Sequence, residues 1–316
     1  MSAARPPEGA PVSARGSKGA LLAAAALMLN AFVWGMSWWP FRQLESRGVH
    51  PLWATAIIYL VSLACLLVFQ PHAWRGLRQH SALWLLMAAS GLTNLCFNWA
   101  VTVGDVVRVV LLFYLMPLWT VLLAWPLLHE RPTLTSLSRM LLALAGVVIV
   151  LKTPGSAWPV PESGADWLAL GGGFSFALTN ILLRRLNHTP AMSRVLAMFC
   201  GGALLATSAA CIGFARGVVA LPPAPSVSWL VFALALSLAF LVGNLALQYG
   251  AARLSAHGTA LIMLSEVVFA SASSVALGAA VLTGRIWLGG GLILLAAWWS
   301  ALSNDAPSPA KCRGTN

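Results

Sequence analysis

Asn94-Leu95-Cys96-Phe97-Asn98-Trp99-Ala100-Val101 returns in the second half of the chain as Asn244-Leu245-Ala246-Leu247-Gln248-Tyr249-Gly250-Ala251. Each copy runs amide, three apolar residues, amide, aromatic, small residue. Amides four apart lie on one helix face, so each copy draws a polar ladder along an otherwise apolar helix. A weaker echo sets Trp34-Gly35-Met36-Ser37 against Phe176-Ala177-Leu178-Thr179, each followed by an arginine, Arg42 or Arg184. Chance likeness between apolar helices is the competing explanation.

The surrounding composition says what solvent these helices meet. Of 316 residues, 59% are hydrophobic and only 9% charged. Soluble domains carry roughly a quarter charged residues. A water-soluble fold could not hide this much apolar surface. The uncharged runs 21–41, 81–104, 109–128 and 195–215 each hold enough residues to cross a hydrocarbon core of about 30 Å. Spans are expected at 20–41, 51–70, 81–103, 107–128, 134–151, 166–183, 193–214, 228–249, 256–280 and 286–303. The fold class is therefore all-α: a polytopic membrane protein of ten transmembrane helices, read as two inverted five-helix repeats. An odd number of spans in the first half makes the second enter the membrane in the opposite sense.

The expected division is a disordered cytoplasmic tail at 1–18, a first repeat at 19–152, a periplasmic linker at 153–165, a second repeat at 166–303 and a cytoplasmic tail at 304–316. The basic start is read as a tail rather than a signal peptide, because the apolar run after it is too long for a signal core. Six of the 19 Lys and Arg residues, Arg42, Arg47, Arg108, Lys152, Arg216 and Arg285, fall on one side of the ten spans and the rest on the other. The positive-inside bias then puts both termini in the cytoplasm, in a bacterial inner membrane. The net charge of +11 is scattered singly between apolar runs, with no basic stripe, so no nucleic-acid partner is expected. The five cysteines show no metal-ligand spacing, and neither metal nor cofactor is expected.

Glu266 is the most informative side chain. It sits about ten residues into the ninth span, where a carboxyl group costs about 2.5–3.5 kcal/mol on insertion scales. It is a candidate for proton coupling or for the counter-charge of a cationic substrate. A structural bond to a neighbouring helix is the alternative. Asn94, Asn98, Asn244 and Gln248 either line a polar cavity or glue helices together, the latter contributing roughly 0.6–2 kcal/mol each. Asn30, Trp34, Ser37 and Trp38 share a face of the first span, and Trp34 is too deep for an interface anchor. Thr179 and Asn180 in the sixth span are weaker candidates, with packing as the plain alternative. Arg253 and His257 mark a rim near the cytoplasmic face or simply follow the charge bias. Pro117 is expected to kink the fourth span. No GxSxG, HExxH, paired-aspartate or Walker pattern is present, so an enzyme is not expected.

The chain resembles EamA-type members of the drug/metabolite transporter superfamily. The likeness rests on Asn30-Ala31-Phe32-Val33-Trp34-Gly35 in the first span, and on Leu115-Met116-Pro117 and His129-Glu130-Arg131 in and after the fourth. It departs from that pattern at Tyr59, where an arginine is usual, at Ser265-Glu266, where a proline is usual, and at Gly278-Ala279-Ala280, where an acid is usual. The resemblance implies a secondary-active exporter of small metabolites working by alternating access. Amino acids, amines or related compounds are the implied cargo, and protons the candidate coupling ion. Lipid and a small-molecule substrate are the implied partners, and a monomer or homodimer the assembly. An uncoupled facilitator or lipid flippase is the main alternative, followed by a membrane enzyme or scaffold.

Overall fold

The computed structural model describes residues 14–128, 133–152, 160–186, 188–254, 259 and 262–302. The motif at 129–131, His257 and most of both expected tails lie outside them. Every regular element among the described residues is a helix. In chain order these are α1 (Ala14–Met36), α2 (Trp38–Glu45), α3 (Pro51–Phe69), α4 (Ala73–Gln79), α5 (Ala82–Val103), α6 (Val106–Phe113) and α7 (Met116–Leu128). The chain continues as α8 (Leu134–Leu151), α9 (Gly164–Arg185), α10 (Ala191–Ala215), α11 (Val227–Ala251), α12 (Ser265–Ala276) and α13 (Gly284–Leu302).

Seven described stretches are long and apolar enough to cross a membrane: Gly19–Glu45, Pro51–Phe69, Ala82–Val103, Val106–Leu123, Gly164–Arg185, Ala191–Ala215 and Val227–Ala251. The distribution of side chains is that of a protein dissolved in lipid. Leu85, Leu141, Leu204, Leu234, Leu238 and Leu295 are each more than half exposed, while Asn30, Ser62, Asn98, Ser175, Thr179 and Ser274 are fully or almost fully buried. Water would drive both sets the other way. Buried hydroxyls return their proton to a carbonyl within the helix, as Ser90 does to Leu86 and Thr93 to Ala89. The chain is a multi-pass membrane protein.

Two expected spans are interrupted, for the same reason. Proline has no N–H for the carbonyl four residues back. Pro40 therefore cannot bond Met36, and α1 gives way to α2 at Ser37, whose Oγ and N–H both donate to Trp34 O. Pro117 cannot bond Phe113, and α6 gives way to α7 through a turn at Tyr114 and Leu115, with the Leu115 N–H reaching back to Leu112 O. A third break precedes α12 at Leu264, where the Val267 N–H turns to Leu264 O. Gly48, Gly217 and Gly278 have φ of 85°, 71° and 68° and end helices with paired backbone bonds, the left-handed cap that suits glycine. The short helix α4 has no counterpart among the expected spans.

The helices pack as α8 along α13, α5 between α9 and α10, α3 along α10 and α11, α1 along α11 and α12, and α6 and α7 against α9. Two apolar cores result. One gathers Phe97, Val110, Phe113, Tyr114, Val267 and Ile293; the other Phe41, Ile58, Tyr59, Leu196, Phe199 and Phe240. Trp34 packs against both.

Candidate functional site

The two broken helices from opposite halves of the chain meet at their breaks. Tyr114, in the turn between α6 and α7, donates its hydroxyl to Glu266 Oε2 at 3.1 Å and lies 3.2 Å from Met263 O. Glu266 is 8% exposed and stands in the first turn of α12. A helix start supplies unpaired N–H groups and the positive end of the helix dipole, so a carboxylate is tolerated there better than mid-helix. Glycine lets neighbouring helices come this close. A Cβ on Gly35 of α1 would fall 2.7 Å from Glu266 O, and one on Gly173 of α9 would fall 2.6 Å from Phe113 O. The Gly35 of the Trp-Gly pair is thus a contact residue for the segment that carries the acid.

Aromatic rings lie between this acid and a small, largely aromatic cavity into which two amides reach. Phe113 lies 4.7 Å from Phe97, Phe97 6.1 Å from Trp34, and Trp34 stacks on Phe240 at 4.5 Å. Trp34, Tyr59, Asn94, Met198, Phe199, Phe240 and Asn244 line a cavity of about 20 Å³, room for about one water molecule. Asn94 donates to Ser90 O at 2.8 Å, and the buried Asn244 Oδ1 has no hydrogen-bond partner within the protein. The first amides of the two matching sequences therefore converge on one space, together with Trp34.

The remaining sequence-selected residues sit around that centre. Asn30 donates from α1 to Gly243 O on α11, and Asn98 donates to Thr55 Oγ1 on α3; each keeps a buried Oδ1 without a protein partner. Ser37 marks the α1–α2 break. Trp38 donates Nε1 to Ser273 Oγ on α12 at 2.9 Å, and Arg42 stacks over its ring. Thr179 is buried with Oγ1 unpartnered, while Asn180 and Gln248 are half-buried, and none of the three lines the cavity. Arg253 is exposed and stacks on Tyr249.

Sequence reading missed two features. Tyr114 is one; its signal was a hydroxyl-bearing ring directly before Leu115-Met116-Pro117. The other is an ionic junction at one end of the bundle. Arg108 of α6 grips Asp166 of α9 through two bonds, Nε to Oδ1 at 2.8 Å and Nη2 to Oδ2 at 2.9 Å, and also donates to Val150 O at the end of α8. Asp166 closes a capping box with Ser163 and accepts the Glu162 N–H. At the same end Arg42 donates to Gly104 O and Arg285 to Lys152 O. A recess of about 640 Å³ opens there, with Trp99, Asp105, Arg108, Glu162 and Asp166 in its wall.

Comparison with known proteins agrees with this architecture. A crystal structure of a protein superposes over 90% of this chain and 96% of its own, with a TM-score of 0.55 at 19% identity, a likeness of fold. The uncharacterized transporter PA0485 of Pseudomonas aeruginosa is 32% identical over 168 residues, 50% of this chain and 53% of the relative. The chain thus spans about half the length of the curated relative it matches. The model of the EamA-like transporter family matches residues 19–152. That match covers the helices that carry Trp34, Gly35, Asn94, Tyr114 and Pro117, so the first half of the chain is similar to the EamA-like transporter family.

Proposed function

We propose that the protein is a secondary-active exporter of small metabolites, with amino acids, amines or related compounds as cargo, and that it works by alternating access. The observation that carries this reading is the meeting of Tyr114 and Glu266, where two interrupted helices from different halves bury an acid in the bundle, with Phe113, Phe97 and Trp34 between it and a small cavity that holds two amides. Carriers built from repeats bind substrate and coupling ions at discontinuous helices near the bilayer midplane. In this reading Glu266 is the proton-coupling group. Trp34, Asn94 and Asn244 contact the cargo, while Asn30, Ser37, Trp38, Asn98, Thr179, Asn180 and Gln248 line the path as it opens.

Ten spans in two inverted five-helix repeats complete the reading, and the helix packing supports it. Exchanging corresponding spans maps α8–α13 and α3–α10 onto themselves. It maps α5–α9 onto α11–α1, α5–α10 onto α11–α3, and α7–α9 onto α12–α1. Both termini are cytoplasmic by the charge bias, so the Arg108–Asp166 junction closes the outer end. The small cavity then belongs to an occluded or nearly closed state. Chemistry on the cargo needs no part in such a cycle, and we assign no enzymatic activity.

Purified protein in proteoliposomes tests the proposal. Counterflow of a panel of radiolabelled amino acids and amines should identify cargo, and an imposed pH gradient should drive its accumulation in the wild type. Glu266→Gln should keep counterflow and lose the gradient-driven component. Equal pH response in wild type and variant removes Glu266 from coupling. Cargo movement that no gradient can drive identifies a facilitator instead.

A further inference from the structure

The Tyr114 hydroxyl has one proton and two acceptors within reach, Glu266 Oε2 at 3.1 Å and Met263 O at 3.2 Å. Those acceptors lie on the two sides of the break at Leu264, where the Val267 N–H bonds Leu264 O, three residues back. Which acceptor receives the proton depends on the charge of Glu266. An ionised carboxylate is acceptor-only and claims the hydroxyl proton, since charge-assisted bonds are the stronger ones. Met263 O is then left without its side-chain donor. A protonated Glu266 donates to the tyrosine oxygen instead, which frees the hydroxyl proton for Met263 O. All three groups are satisfied in that second arrangement.

We infer that Tyr114 is a positioning residue that converts the proton state of Glu266 into the tightness of the break before α12, through its choice between Glu266 and Met263. This deepens the carrier reading and rests on it: protonation clamps the ninth span to the α6–α7 turn, and deprotonation lets the break open. No bond to hydrogen is created or lost beyond the proton that Glu266 takes up or releases. Nothing else that titrates intervenes among the described residues. The segment's close neighbours on α1 are Met28, Phe32 and Gly35, meeting Ser265, Phe269 and the Glu266 carbonyl. From the α6–α7 side the facing group is Tyr114 itself.

Amide hydrogen exchange of residues 265–268 in nanodiscs, across pH and corrected for its intrinsic pH dependence, tests the relay without any cargo. Wild-type exchange should be slow at low pH and rise about fivefold as Glu266 ionises, the size expected when one buried hydrogen bond is lost. Glu266→Gln should be slow at every pH, because its amide donates to Tyr114 as the protonated acid does. Tyr114→Phe should be fast at every pH, and adding Glu266→Gln to it should change nothing. A Tyr114→Phe protein that titrates like the wild type overturns the relay. So does a Glu266→Gln protein that keeps the wild-type rise, which covers the case in which Tyr114→Phe fails to fold. Failure of these exchange tests leaves gradient-driven transport untouched. Failure of transport leaves the exchange result standing, so the two readings fall separately.

Discussion

Gly146 and Gly289 touch through their backbones, and the contact is reciprocal: a Cβ on either would fall 2.6 Å from the carbonyl oxygen of the other. They lie on α8 and α13, the last helices of the two halves. Each helix thus offers a glycine where the other's backbone comes closest. In lipid, where apolar association gains nothing from water release, such backbone approach is the main source of helix affinity.

Gly146→Leu and Gly289→Leu should therefore each separate α8 from α13 and cost about 1–3 kcal/mol, the usual penalty of overpacking. The double variant should cost less than the sum, since either side chain alone already breaks the contact. Thermal unfolding in detergent measures this. Gly171 is a control on α9, because a Cβ there meets nothing within 4 Å. Gly171→Ala should melt as the wild type or slightly higher.

Asn244 sets stability against use. Its buried Oδ1 has no partner within the protein, at the wall of the central cavity. An unsatisfied buried acceptor costs about 1–3 kcal/mol. Asn244→Leu keeps the branched shape and the number of side-chain heavy atoms without that acceptor, and the neighbouring cavity gives its larger methyl groups some room, so it should raise the melting temperature and reduce counterflow at least tenfold. A variant that melts higher and transports normally would remove Asn244 from cargo contact. Trp34→Ala should lower both quantities, because Trp34 also joins the two apolar cores.

How far the sequence carried depends on whether the physics was local. Runs of apolar residues report lipid directly, so the long spans were readable within a few residues. The α6–α7 break was readable from Pro117, and the same logic applied to Pro40 would have foreseen the α1–α2 break. The start of α9 was readable in Ser163-Gly164-Ala165-Asp166, a capping box that places the helix start at 164 rather than 166. The Arg108–Asp166 junction was not readable, because nothing local links two residues whose helices are brought together only by tertiary packing. Tyr114 escaped for the same reason. The convergence of Asn94 with Asn244 was implicit in the echo between the halves, whereas Asn98 and Gln248, one turn on, went to separate surroundings.

The Arg108–Asp166 pair should resist charge reversal. Asp166→Asn removes the charge from a carboxylate that also accepts the Glu162 and Ser163 N–H groups. The expected cost is about 2–3 kcal/mol, seen as a lower melting temperature in detergent. Arg108→Asp with Asp166→Arg restores the charges but not the capping box or the bond to Val150 O. It should melt no higher than Asp166→Asn. Full rescue by the swap would mean that Coulomb attraction alone holds the junction.

His50 makes the start of α3 sensitive to mild acid. It lies between α2 and α3, outside the spans, and caps α3 by accepting the Leu52 N–H on Nδ1 at 3.2 Å. Pro51 has no N–H, so Leu52 is the first donor of the helix that needs a partner. Burial, with the Trp99 ring 5.5 Å away, pushes the imidazole pKa below its usual 6.5. The folded protein thus holds fewer protons on His50 than the unfolded chain does once the pH approaches 6.5. The cap's contribution is complete above about pH 6.5 and is lost as the pH falls through the lower folded value. Protonation also abolishes the acceptor on Nδ1. Exchange of the Leu52 amide, corrected for its intrinsic rate, should speed up between pH 7.5 and 5. His50→Asn keeps a capping acceptor that does not titrate, so its protection should be flat across that range. His50→Ala should be flat as well and weaker throughout by about 1 kcal/mol. Wild-type protection that stays constant down to pH 5 would show that the cap does not depend on the imidazole lone pair.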